Sequence, residues 1–167
     1  MAKEMVTRFE NLLYSVSEEE LEVMETMLDA LEKYNVDKSK TLLANTLKMK
    51  PEMQDDGSCH CTIPITRLVK NFINTVHGGI TATLVDTTMG SLVINNLDPT
   101  KGTVTAELKL NYLKPGLGKS LTCVASSIHK GKKIHVCEAR VFNDKDELIL
   151  HATGSFFIID KKKLGGE

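Results

Sequence analysis

Between Asn71 and Leu97 the chain carries only one Asp, Glu, Lys or Arg: Asp86, inside "HGGITATLVDTTMGS" (77–91). Residues 78–97 are long enough to cross a bilayer. Their threonines, Ser91, Asn95, Asn96 and the central carboxylate make a poor lipid-facing surface, so no membrane partner is read. The segment predicts a buried core helix beginning near Gly78 and ending around Asn95–Asn96, with Pro99 beyond. A helix apolar on nearly all sides needs covering over most of its circumference, which restricts the architecture more than any other feature. A carboxylate placed within it must be neutral, paired or useful.

The flanking sequence supplies the cover. From Ser58 the period switches to two, with Cys59, Cys61, Ile63 and Ile65 alternating against His60, Thr62, Pro64 and Thr66. This predicts a strand, at an edge because Pro64 cannot donate to a ladder. Four further strands are expected at 103–112, 120–129, 134–143 and 148–160, joined by "KPGLGK", "HKGKK" and "DKDE" turns. Ahead of them, 17–34 reads as an amphipathic helix, with Ser17 and Glu20 forming a capping box. Residues 35–57 give only a turn signal at Asp56-Gly57. The order is helix, strand, long apolar helix, then four strands in antiparallel succession, which predicts an α+β domain with the helix packed on a meander. A helical extension over 1–45, a domain over 46–160 and a solvated tail over 161–167 follow.

The 22 acidic and 21 basic residues nearly cancel, so no nucleic-acid partner is expected. The N-terminus lacks an apolar stretch followed by a small-residue cleavage site, which gives no signal peptide. Cys59, Cys61, Cys123 and Cys137 form no C-x-x-C pair, and His60 would point away from its two neighbours on a strand. Reduced core thiols in a cytoplasmic protein fit better than a metal site.

His77 precedes Gly78-Gly79 at the expected helix start. Glycines there allow close backbone approach, and the free amides of a helix N-terminus attract developing negative charge. Asp86 lies eight residues on, ~12 Å along the axis at ~1.5 Å per residue. If Gly78 and Asp86 act on one carbonyl, a second copy of the chain must supply one of them. Blander readings stand beside this: Asp86 bonded to Thr83, Thr87 or a neighbouring backbone, His77 a satisfied core histidine, and the glycines a tight turn.

"NFINTVHGGITATLVDTTMG" (71–90), followed by "TVTAELKLNYLKPG" (103–116), resembles the hotdog-fold acyl-CoA thioesterases of the PaaI type. Asn71, His77-Gly78-Gly79, Asp86, Thr105 and Tyr112-Leu113-Lys114-Pro115 stand at the spacing of that pattern, and the likeness covers roughly 57–160. Asn74 departs from it, standing where many members have Gly; Asn tolerates the left-handed conformation. The resemblance implies a curved antiparallel sheet wrapped around the long helix, in a homodimer or homotetramer with sites between subunits. Asp86 would be general base or nucleophile, Gly78 the oxyanion donor and Gly79 the source of space. Asn71 would hold the carbonyl or water, His77 order the loop or polarise the carbonyl, and Thr105 orient the water. The hairpin His129, Lys130, Gly131, Lys132 and Lys133 would meet the CoA phosphates, and Tyr112 would flank the pantetheine arm. CoA is then part of the substrate, and no metal or redox cofactor is implied. A non-catalytic acyl-CoA-binding or sensing protein is the alternative, and a hotdog dehydratase a weaker one.

Overall fold

The computed structural model describes residues 1–161; beyond Lys161, the expected tail lies outside them. The chain forms two units, one of Met1–Leu47 with Thr66–Leu68, the other of Lys48–Ile65 with the chain from Val69 onward.

In the second unit the long helix is α4, Gly78–Asn95. Its buried residues, Thr81, Leu84, Val85, Thr88, Met89, Leu92 and Val93, repeat at three and four positions and so make one stripe. The opposite stripe carries Ala82, Thr83, Asp86, Thr87, Gly90 and Ser91, all only half-buried. Within the chain the helix is therefore covered on one side only. Asp86 stands on the uncovered side, among residues small enough to admit a close neighbour.

The cover is a six-stranded antiparallel sheet of β1 (Glu52–Met53), β2 (Cys59–Pro64), β3 (Lys101–Tyr112), β4 (Ser120–Lys130), β5 (Ile134–Asn143) and β6 (Leu148–Asp160). Its order is β1-β2-β4-β5-β6-β3. This corrects the expected meander: β4, β5 and β6 do follow in succession, but β3 pairs with β6 and not with β4. The stretch read as a hairpin turn is a crossover along one end of the sheet. Three strand spacings amount to ~14 Å, while the chain from Leu113 to Lys119 can span ~23 Å when extended. The crossover is held by Leu113 N–H donating to Ile149 O (2.9 Å), Gly116 O accepting from Val76 N–H (2.9 Å) and Lys119 N–H donating to Asp144 Oδ1 (2.9 Å).

Strand β2 is not quite an edge, since β1 pairs with it at His60 and Cys59. Pro64 lies past that pairing, where its missing N–H costs no ladder bond. The true long edge is β3, which pairs with β6 on one side only. Cys59, Cys61, Cys123 and Cys137 are all buried free thiols, and Cys61 lies opposite Cys123.

The first unit contains α1 (Ala2–Leu13), α2 (Glu18–Val36) and α3 (Leu42–Thr46). The α2 capping box forms as expected, with Ser17 Oγ accepting from Glu20 N–H and Glu20 Oε2 accepting from Ser17 N–H (2.8 Å). Helix α1, which the sequence reading did not identify, buries none of its residues.

Candidate active site

Asp86 is held by one bond across the domain: Thr105 Oγ1 on β3 donates to Asp86 Oδ1 at 2.7 Å. A β-bulge falls between Thr105 and Glu107, and bulges re-aim side chains. Of the local partners expected for Asp86, Thr83 donates instead to Gly79 O (3.0 Å). Asp86 and Thr105 open into a half-open groove of about 350 Å³, bordered by Gly90, Ile94, Val104 and Phe156.

The helix start is built differently. His77 is the N-cap, and its Nδ1 accepts from Gly79 N–H at 3.0 Å. Its carbonyl takes the N–H groups of Ile80 (2.9 Å) and Thr81 (3.2 Å). Of the first-turn amides only that of Gly78 donates to nothing among the described residues. His77 is thus the residue that satisfies its neighbours and leaves one donor open at the positive end of α4. Tyr112 Oη donates to Gly78 O at 2.7 Å, fixing the peptide that follows. Partial burial pushes the Tyr112 phenol above its ordinary range, so it remains a donor.

Asn71 organises the loop before the helix. Its Oδ1 accepts from Ile73 N–H (3.1 Å) and Thr75 N–H (3.2 Å), while its Nδ2 donates to Thr75 Oγ1 (2.9 Å). The second N–H of that amide donates to nothing among the described residues. Asn74 takes φ +62°, the left-handed conformation that the departure from Gly required. Asn71, Gly78 and Tyr112 share a second groove of about 410 Å³, with Leu113 and Pro115 on its rim. Asp86 does not line it. The chain therefore presents a carboxylate in one groove and an open amide in the other, two helical turns apart.

At the β4–β5 turn, His129, Lys132 and Lys133 are exposed. Lys130 is not wholly free, since its Nζ donates to Asn96 Oδ1 at 2.7 Å, just past the end of α4. Gly131 answers a local need: a Cβ there would sit 2.6 Å from Ile134 O, which already accepts from Gly131 N–H (3.0 Å). Beneath this turn lies a buried residue that sequence reasoning missed, His135, with Nε2 2.9 Å from Ser127 Oγ. Alternation alone marks position 135 as inward-facing, and a histidine there was the available signal. Among the described residues no cluster of His, Cys, Asp or Glu could hold a metal, and no helix is long and apolar enough to cross a membrane.

The Thioesterase superfamily pattern matches residues 73–150. The BH2602 protein from Bacillus halodurans, solved with CoA, superposes with a TM-score of 0.83 at 40% identity, covering 88% of this chain and 97% of that one. The PaaI protein of the Escherichia coli phenylacetic acid degradation operon shares the fold, with a TM-score of 0.66 at 21% identity over 80% and 96% of the two chains. The medium/long-chain acyl-CoA thioesterase YigI of Escherichia coli K12 is 24% identical over 105 residues, 54% of this chain and 68% of that protein. The chain spans about half the length, 55%, of a Saccharolobus solfataricus relative to which it is 34% identical. With this pattern, this sheet around this helix, and a 40%-identical relative matched almost end to end, the chain belongs to the thioesterase superfamily of hotdog-fold hydrolases.

Proposed function

We propose that the protein hydrolyses acyl-CoA thioesters at sites shared across a homodimer, each pairing Asp86 of one protomer with the open Gly78 amide of its partner. One observation carries this reading: the two groups open into different grooves of the same protomer, so neither groove alone is a complete site. An antiparallel pairing of two α4 helices through their uncovered small-residue faces joins the halves, and the unpaired edge of β3 lies ready beside them. The CoA of BH2602 and the name of YigI support a CoA ester as the substrate. The lysine hairpin gives local positive charge in a chain whose formal net charge is −1.

Thr105 occupies Oδ1 of Asp86, which leaves Oδ2 to take a proton from water. The hydroxide adds to the thioester carbonyl, and the negative charge that develops on oxygen meets the Gly78 N–H at the partner's helix end. Collapse breaks the C–S bond. The leaving thiol, with a pKa of about 8.5, departs as thiolate without an acid beside it. The products are the free acid and CoA.

Hydrolysis of acyl-CoAs by the protein and by Asp86→Asn tests the reading. A fall of ~10³-fold or more in kcat in the folded variant is expected. Undiminished turnover by that variant would remove Asp86 from the chemistry. Tight acyl-CoA binding without turnover across short, long and aromatic acyl groups would replace hydrolysis with sensing.

A further inference from the structure

Strand β4 changes its rule at its far end. Leu121, Cys123 and Ala125 point inward and are buried, and simple continuation would send His129 inward and Lys130 outward. A bulge at Ile128 prevents this. The register runs Ser127↔Cys137, then His129↔Val136 and Lys130↔His135. Lys130 is thereby placed on the helix side of the sheet, cross-strand from a buried histidine, and its Nζ reaches Asn96 Oδ1. The turn is tied again at its other limb, where Ile158 N–H donates to Lys133 O at 2.8 Å.

His135 spans the bulge. It is 2% exposed, and its ring reaches diagonally to Ser127 Oγ, on the near side of the extra residue. Apolar side chains would fill such a position without the cost of desolvating two polar groups. A polar pair at a bulge, with His135 buried and Ser127 half-buried, fixes one geometry where apolar packing tolerates several. Burial foremost, then Lys130 and His129, holds the imidazole below its ordinary pKa, which favours the neutral ring.

We propose that His135 and Ser127 are positioning residues for coenzyme A: their hydrogen bond locks the Ile128 bulge and so aims the lysine hairpin at the phosphates of the substrate's nucleotide. The inference rests on the acyl-CoA reading above. Neither residue touches the reacting atoms. Their contribution is to present Lys132 and Lys133 already in place, which lowers the ordering cost of binding.

The test compares an acyl-CoA with the same acyl group on N-acetylcysteamine, a thioester without the nucleotide, and measures CoA binding by calorimetry. Ser127→Ala and His135→Phe should raise KM and Kd for the CoA compounds about five- to tenfold, the equivalent of one lost hydrogen bond. They should leave kcat and all constants for the short thioester within twofold, and Ser127→Thr, which keeps the hydroxyl, should restore binding. A Lys132→Ala/Lys133→Ala protein should show the same selective loss. If the lysine protein loses CoA affinity while folded Ser127→Ala and His135→Phe keep it, the positioning role is wrong and the hairpin's role stands. If the lysine protein also keeps it, the hairpin does not read the nucleotide and the inference falls with that part of the acyl-CoA reading.

Discussion

Thr105 and Gly131 are the residues whose roles turn on single atoms. The Thr105 hydroxyl is the only side-chain donor bonded to Asp86 among the described residues. Thr105→Val keeps the shape and removes the donor, so kcat should fall about 10- to 100-fold with KM nearly unchanged, while Thr105→Ser should keep most activity. Equal loss in both variants in steady-state assays would mean that packing, not the hydroxyl, matters. At Gly131 the constraint is steric. A methyl group 2.6 Å from Ile134 O must open the hairpin, so Gly131→Ala should lower stability by about 1–3 kcal/mol, read as an earlier urea midpoint. The sequence marked both positions but could not supply either reason. It gave Thr105 the orienting of water by resemblance, while the bond to Asp86 depends on how β3 returns past α4. It set Gly131 within a hairpin expected to meet the CoA phosphates, and the structure adds a local reason, room for the chain's own carbonyl.

Local periodicity located the elements more surely than their partners. Helix α4 and the four long strands end within about two residues of the sequence reading, because burial on one side imposes periods of 3.6 or two on the residues themselves. The order of strands was not legible in this way. Nothing in 103–112 distinguishes pairing with β4 from pairing with β6, and the glycines of 116 and 118 suit a hairpin or a crossover equally. Strand β1 has two residues, too few for a pattern. The uncovered face of α4 yields a sharper expectation. If Asp86 of one protomer faces the partner's Gly78, two-fold symmetry puts the midpoint of that interval, Ala82, at the axis. Ala82→Cys should then form a disulfide between protomers under mild oxidation, since facing small residues on close-packed helices come within reach. The native cysteines are buried and should not compete. A monomeric band on non-reducing gels, from protein shown to be folded, would rule out this pairing of helices.

At the scale of the whole molecule the buried thiols and His135 yield an expectation for how stability varies with pH. Burial pushes Cys59 up to about 11 and Cys123 and Cys137 up to about 12 from an ordinary 9.0, and it raises Cys61 as well. A group whose folded pKa is raised binds its proton more tightly when folded. Its stabilisation is complete below the unfolded pKa and is lost as pH rises towards the folded one. Each thiol should therefore cost up to about 1.4 kcal/mol per pH unit between pH 9 and its folded pKa, and nothing further beyond it. His135 works in the other direction. Its folded pKa is depressed from 6.5, so its contribution is present above that value and is lost as pH falls, when the unfolded chain takes up a proton that the buried ring resists. Stability should thus be level between about pH 6.5 and 9 and fall on both sides. Urea midpoints measured across the range should show an alkaline slope that weakens in a Cys123→Ala/Cys137→Ala protein and an acid limb that weakens in His135→Phe. Should the alkaline slope survive unchanged without those two thiols, the loss at high pH belongs to other groups, and the cysteine-rich interior is not what limits the fold there.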